Sequence, residues 1–262
     1  MSWSGQRDSN PRPSRWQRDA LPLSYARKIK VYYTNCNAVN VNKMPLSINP
    51  NLLYYINMKP LPEQIPIFPL SGFIYFPKTS LPLNIFEERY LNLVNDAFKK
   101  DKLMGMIQSK NEGNEIFKVG CLGKINDFQK IDGGRILINL IGLTRFEVIE
   151  EINNFKLYRE FKVDYQKYNL DLKLTDEQID TNSLMKKSKI FFEKNKILLN
   201  WKEFDKLKKA EKINTLSMIA PIMNEEKQKL LESISLRDKV LALENIIDFY
   251  LHEVNFANQT IQ

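Results

Sequence analysis

Leu81-Pro82-Leu83-Asn84-Ile85-Phe86-Glu87-Glu88-Arg89-Tyr90 is the stretch at which the chain changes its period. From Phe86 onward, Phe86, Tyr90, Leu93, Val94 and Ala97 recur at helical spacing and share one face. A helix is predicted there, with Phe86 and Tyr90 in the core. It should end near Lys99-Lys100, where cations suit a C-terminus. The surroundings of that helix read as strand. Before it, Ile65-Pro66-Ile67-Phe68-Pro69-Leu70 is a short apolar run whose prolines predict an edge strand. Ser71-Gly72 then turns the chain into Phe73-Ile74-Tyr75-Phe76, which stops at Pro77. After the helix come Leu103–Gln108 and two long runs, Phe117–Ile131 and Arg135–Val148. Asp132-Gly133-Gly134 joins the two runs as a hairpin. Ile136, Ile138 and Leu140 lie on one face of the second run and Leu137 and Ile141 on the other, as in a strand covered on both sides. Leu157–Tyr165 adds a last strand.

From about Asp176 the period is helical. Leu184, Ser188, Phe191, Phe192 and Leu199 fit a helix opened by Thr181 or Asn182, and Trp201, Phe204 and Leu207 continue the pattern. Ile213–Ala220 stops at Pro221. Asn224 can cap Glu225–Glu232. Ser235-Leu236-Arg237-Asp238 resembles a capping box with Asp in place of Glu. Behind it, Leu236, Val240, Leu243, Ile247, Tyr250 and Val254 form the longest apolar stripe in the chain.

The charge is uneven. Of 39 Lys+Arg and 31 Asp+Glu, residues 1–57 hold 8 basic against 2 acidic, which leaves 31 against 29 for the rest. The body is nearly neutral, so a general electrostatic case for nucleic-acid binding fails there. Cys36 and Cys121 are far apart, with no Cys-x-x-Cys and no neighbouring His. No disulfide framework, metal site or cofactor is expected, and a reducing compartment follows. No apolar run is long enough for a transmembrane helix, so no membrane association and a cytoplasmic location are expected.

Residues 1–43 read as a different chain, rich in Arg, Ser, Pro and Asn without an apolar period. Arg7-Asp8-Ser9-Asn10-Pro11-Arg12-Pro13 and Asp19-Ala20-Leu21-Pro22-Leu23-Ser24-Tyr25 resemble translation through the antisense strand of a transfer-RNA gene. On that reading translation begins at Met44 or Met58. A basic tail and a transit peptide are the alternatives.

Five motifs stand in the order and spacing of the Lon N-terminal domain family. They are Ile65–Leu70, Phe76-Pro77, Leu81–Tyr90, Val119-Gly120-Cys121-Leu122-Gly123 and Gly142-Leu143-Thr144-Arg145-Phe146. Ala220-Pro221 followed by Lys227-Gln228-Lys229-Leu230-Leu231-Glu232 extends the likeness, so the chain resembles the short bacterial members over most of residues 65–252. The resemblance implies an α+β fold: an N-terminal β-rich PUA-like pseudobarrel with one inserted helix, followed by a C-terminal helical subdomain. The division expected is 1–60 extension, 61–170 β-rich domain and 171–262 helical subdomain. Pro69, Gly72, Pro77, Pro82, Gly120 and Gly142 are expected to set turns and strand ends. Glu87 suits a helix start. Arg145, in an otherwise apolar strand, needs a partner, and an ion pair of Arg145 or Arg89 with Glu87 is expected. Phe146 closes the motif set.

Full-length Lon carries a P-loop ATPase and a Ser-Lys protease, and neither has a counterpart here. Gly120-Cys121-Leu122-Gly123-Lys124 spaces its glycines too closely for a P-loop and has no Ser or Thr after Lys124. His252, the single histidine, is expected on the surface of the last helix and has no triad partners. The resemblance therefore implies a non-catalytic module that binds unfolded or client protein segments, with a protease or chaperone as a further partner. Phe73, Tyr75 and Phe76 are the candidate peptide contacts, with ordinary core as the alternative. An RNA-binding PUA-like module is the second reading. It rests on Lys186-Lys187-Ser188-Lys189 and Lys206-Leu207-Lys208-Lys209, with Phe191, Phe192 and Trp201 between them.

Overall fold

A computed structural model describes residues 60–110, 115–173 and 178–259, with side chains placed as far as His252. The expectations for residues 1–59, and for the side chain of Val254 at the end of the stripe, lie outside what is described. The fold is α+β. Strands β1 (Gln64–Leu70), β2 (Ser80–Ile85), β3 (Leu103–Gln108), β4 (Val119–Ile131), β5 (Arg135–Ile152) and β6 (Arg159–Asp164) form one mixed sheet. Helix α1 (Glu88–Phe98) interrupts them. A 3-10 segment (Gln166–Leu172) leads to α2 (Asn182–Lys194), α3 (Trp201–Phe204), α4 (Lys209–Ile219), α5 (Asn224–Glu232) and α6 (Leu236–Gln259).

The 18-residue strand β5 organises the sheet. Along its length it pairs with β4, while its other edge serves β2 first and β6 afterwards. Because β6 also pairs with β1, the strands β5-β4-β3-β1-β6 close into a ring, and β2 hangs on the first half of β5. Register shifts at Leu122/Gly123, Ile125/Asp127 and Val148/Glu150 supply the curvature that closure needs.

Ring closure corrects one expectation: β1 is not an edge strand. It pairs with β6 over Gln64–Ile67 and with β3 over Ile67–Leu70. The Leu70 carbonyl accepts from Ser109 and the Glu63 carbonyl from Val163, so even-numbered residues turn their backbone toward β3 and odd-numbered ones toward β6. Pro66 thus faces β3 before that pairing begins, and Pro69 faces β6 after that pairing has ended. Each proline lacks its N–H on the side where no strand waits for it.

Ile65, Ile67, Ile107, Leu122, Leu143, Phe146, Phe161 and Val163 form one buried cluster. All five ring strands contribute to it and β2 does not, which places it inside the ring. The Phe146 ring takes space that side chains would otherwise fill. A Cβ on Gly120 would stand 2.5 Å from it, and one on Gly105 3.1 Å. Gly120, the second residue of β4, does stand at a strand end, as its sequence suggested, and its missing Cβ also leaves room for an aromatic ring.

A second, larger cluster lies outside the ring. It joins Phe76, Leu81, Val119 and Cys121 of the β half to Phe191, Leu216, Leu230, Val240 and Leu243 of the helices. The connection of residues 71–79 runs through it. Ile74, Tyr75 and Phe76 are buried in succession, a pattern no strand of period two allows, and they form no ladder. Leu81, Leu83 and Ile85 do alternate and form β2, so the helix begins only at Glu88, with Glu87 as its cap. Phe86 precedes that cap and is 38% exposed. The expectation that it belongs to the core is corrected, because helical spacing does not yet apply to it. Tyr90 stays buried and stacks on Phe68 with centroids 4.0 Å apart.

Gly142 pins the connection to β5. Its N–H donates to Thr79 and its carbonyl accepts from Lys78, and a Cβ there would meet the Phe76 carbonyl oxygen at 2.3 Å. Gly142→Ala is expected to destabilise the protein by about 1–3 kcal/mol, since backbone must move. Chemical denaturation of the variant checks this, and an unshifted midpoint would refute it.

Candidate functional site

Arg145 ties the two halves together. Its side chain is buried, and all five of its N–H donors have acceptors. Nε and Nη2 grip the Asp171 carboxylate at 2.8 Å each, Nη1 donates to the Leu231 and Ser233 carbonyls, and Nη2 also donates to that of Ile234. The backbone N–H of Arg145 adds a further bond to Asp171. Its guanidinium lies 4.2 Å from the centre of the Tyr168 ring. One β5 side chain thus holds the 3-10 segment and the α5–α6 turn. Of the two pairs expected for Glu87, the one with Arg89 forms, at the surface at 2.8 Å, while Arg145 takes Asp171. Both halves of the Arg145 pair lie far apart in sequence, so no local pattern could select Asp171.

Beside this latch is a cleft of about 40 Å³, lined by Pro77, Lys78, Arg145, Asp171, Asn214 and Lys239 among others. Lys239 is 3% exposed and donates to Asn214 Oδ1 at 2.7 Å, while Asn214 Nδ2 donates to the Pro77 carbonyl. The ammonium also lies 5.2 Å from the centre of the Phe76 ring. Burial, aided by the charge of Arg145, pushes Lys239 down to about 7. Sequence reasoning overlooked this lysine, although a signal was present. It stands three residues after Leu236 and four before Leu243, on the apolar face of α6.

The three candidate peptide contacts are placed unequally. Tyr75 and Phe76 are 2% and 0% exposed, and the Tyr75 hydroxyl donates to Leu140 at 2.7 Å. Neither can touch a peptide on the surface, so the assignment of these two is corrected to core. Phe73 packs on the edge of the core with part of its ring exposed. Phe191 and Phe192 are also core, and Lys187 is engaged by Glu244 and Asp248 at 2.7 Å each. Two of the three aromatics between the basic clusters therefore face inward, while Trp201 is half-buried with Lys189 5.3 Å from its ring centre. His252 is exposed on α6.

Apolar surface appears instead at the β5–β6 connection. Ile149 and Leu157 are 56% and 58% exposed, and Phe155 is fully exposed. The loop beneath them is fixed. The buried Glu160 accepts from Asn154 Nδ2 at 3.0 Å and from Lys156 Nζ at 2.7 Å, and Asn154 Oδ1 accepts from the Lys156 backbone. Arg159 grips Glu151 across the hairpin at 2.6 Å. The tip is thus a pinned loop that leaves three apolar side chains exposed.

The family model of the ATP-dependent protease La (Lon) substrate-binding domain matches residues 64–248, more than half of the chain. The chain belongs to the Lon substrate-binding domain family. Among relatives of this family, the Lon protease of Syntrophus aciditrophicus is 28% identical over 215 residues, covering 76% of this chain and 27% of that protein. The Lon protease of Bacillus thuringiensis is 23% identical over the same shares. The chain thus spans about a quarter of the length of these relatives. Two solved Lon domains share its fold. The Lon N-terminal domain protein of Xanthomonas campestris superposes with a TM-score of 0.51 at 19% identity, over 69% of this chain and 96% of that one. The N-terminal domain of the Mycobacterium avium complex Lon protease gives 0.52 at 14%, over 71% and 98%. The Lon motifs read from the sequence are the residues that close the ring and knit the junction: Gly120 and Phe146 inside, Phe76-Pro77, Gly142 and Arg145 between the halves.

Proposed function

We propose that this chain is a non-catalytic recognition module for unfolded or apolar segments of client proteins, and that the β5–β6 tip is a principal contact. The observation that carries the reading is Phe155, fully exposed on a loop that Glu160 holds in place. Membership of a substrate-binding family supports the kind of partner. Only the substrate-binding family is matched, and the relatives' remaining length is where their chemistry would reside. No helix among the described residues is long and apolar enough to cross a membrane, in keeping with a cytoplasmic setting. The RNA-binding alternative keeps only one of its aromatics near the surface, the half-buried Trp201 with Lys189 5.3 Å from its ring, since Phe191 and Phe192 are buried.

Fluorescence anisotropy of the full chain with a labelled apolar, unstructured peptide tests this. Burying an apolar side chain is worth about 1.5–3 kcal/mol, of which part is spent on ordering the peptide. The double variant Phe155→Ala/Leu157→Ala should therefore weaken binding by about tenfold or more, with an unchanged melting temperature. Unaltered affinity would remove the tip from the site. Peptide binding absent altogether would overturn the function itself.

A further inference from the structure

The junction cleft has a charge problem that its own residues do not solve. Three cations line it: Lys78, Arg145 and Lys239. Arg145 is neutralised by Asp171, both of whose carboxylate oxygens it occupies. The other two have only neutral acceptors. Lys239, in the interior, donates to the Asn214 side-chain oxygen, and Lys78 donates to the Lys173 carbonyl at 3.2 Å. Asp171, and after it Glu211, act on Lys78 from a distance, but neither carboxylate is hydrogen-bonded to its ammonium, and Asp171 is held by Arg145. A buried ammonium with no anion beside it is costly: it is replaced, given a counter-charge, or sheds its proton, as Lys239 does above about 7 when the cleft is empty.

Two further features point the same way. Lys78 is held at φ 57, a left-handed conformation that lysine adopts reluctantly, while its backbone N–H is tied to Gly142. The first turns of α4 and α6 also open onto the cleft, through Ala210 and Leu236, and helix starts present positive backbone ends. The volume of about 40 Å³ exceeds the roughly 10–15 Å³ that one water needs, and it suits a compact group of a few heavy atoms.

We propose that this cleft is a binding site for a small oxyanion, a phosphate or a carboxylate group, held between the ammonium groups of Lys78 and Lys239. The anion would hold a proton on Lys239, supply the counter-charge that the two ammonium groups lack, and brace the contact between the barrel and the helices. This site is separate from the β5–β6 tip and does not rest on the peptide-recognition reading.

Isothermal titration of the full chain at constant ionic strength tests it with three probes: inorganic phosphate, a short peptide with a free C-terminal carboxylate, and the same peptide amidated. Saturable phosphate binding is the expected result, weakened at least about tenfold by either Lys239→Met or Lys78→Gly. Lys78→Gly removes the ammonium while easing the left-handed backbone, so that variant stays folded. Binding of the free-acid peptide but not the amide would support the site and assign it to a chain end. No saturable binding of any probe, or equal binding by wild type and both variants, would overturn the proposal.

Discussion

Arg145→Met is expected to destabilise the protein by about 3–5 kcal/mol, the usual result of leaving one member of a buried ion pair alone. Asp171, with its side chain 12% exposed, would keep only the backbone N–H of residue 145. The carbonyls of Leu231, Ser233 and Ile234 would lose their donor as well. The loss should appear as a lower denaturant midpoint. Exchanging Asp171→Leu in the same protein should recover part of it, because the stranded charge is then gone. An unchanged midpoint in Arg145→Met would show that the latch contributes nothing to holding the halves together.

The second large effect depends on pH. Lys239 titrates near 7 in the folded protein against 10.5 when exposed, because burial disfavours its charged form. Between those values the unfolded chain binds the proton and the folded one does not, so stability rises with pH across the window. The contribution is full above 10.5, declines as pH falls and is lost below 7. It amounts to about 5 kcal/mol for a shift of this size. Lys227, pushed down to about 8 by burial, titrates in the same window but is present in wild type and variant alike. The difference in unfolding free energy between wild type and Lys239→Met, measured without phosphate from about pH 6 to about pH 10, should therefore move in favour of wild type as pH rises. A difference that stays flat would mean that Lys239 keeps its ordinary titration and is more solvated than its position implies.

Several features are legible in the order of amino acids alone. The alternation of Ile136, Ile138 and Leu140 against Leu137 and Ile141 requires a strand covered on both faces, and β5 is the strand that the ring and the helices share. Asp132-Gly133-Gly134 makes a hairpin because glycine takes positive φ at low cost, and both glycines do so here. Ser235 and Asp238 announce the start of α6 by reciprocal capping: the Asp238 N–H donates to Ser235 Oγ at 3.0 Å. Sequence rules fail where a local pattern meets a non-local contact. Phe73–Phe76 reads as a strand because its residues are aromatic and β-branched, yet the core claims Ile74, Tyr75 and Phe76 together. Leu81–Ile85 reads as the approach to a helix, although its period of two marks the strand that it forms.

By itself, then, the sequence determined the class of the fold, most of its strands and helices, the Lon resemblance and the need of Arg145 for a partner. Those follow from period, turn chemistry and the cost of a lone buried charge, all of which act within a few residues. Only the tertiary structure decided what depends on residues distant along the chain. It closed the ring through β6, gave Arg145 Asp171 as its partner, and set Phe146 and the Phe76 carbonyl where Cβ atoms of Gly120 and Gly142 would have stood. It also set Lys239 beside Lys78, which belongs to the opposite half of the chain. The physical reason is the same in each case. Close packing is a property of three-dimensional neighbours, and neither a missing Cβ nor an uncompensated ammonium has meaning until those neighbours are in place.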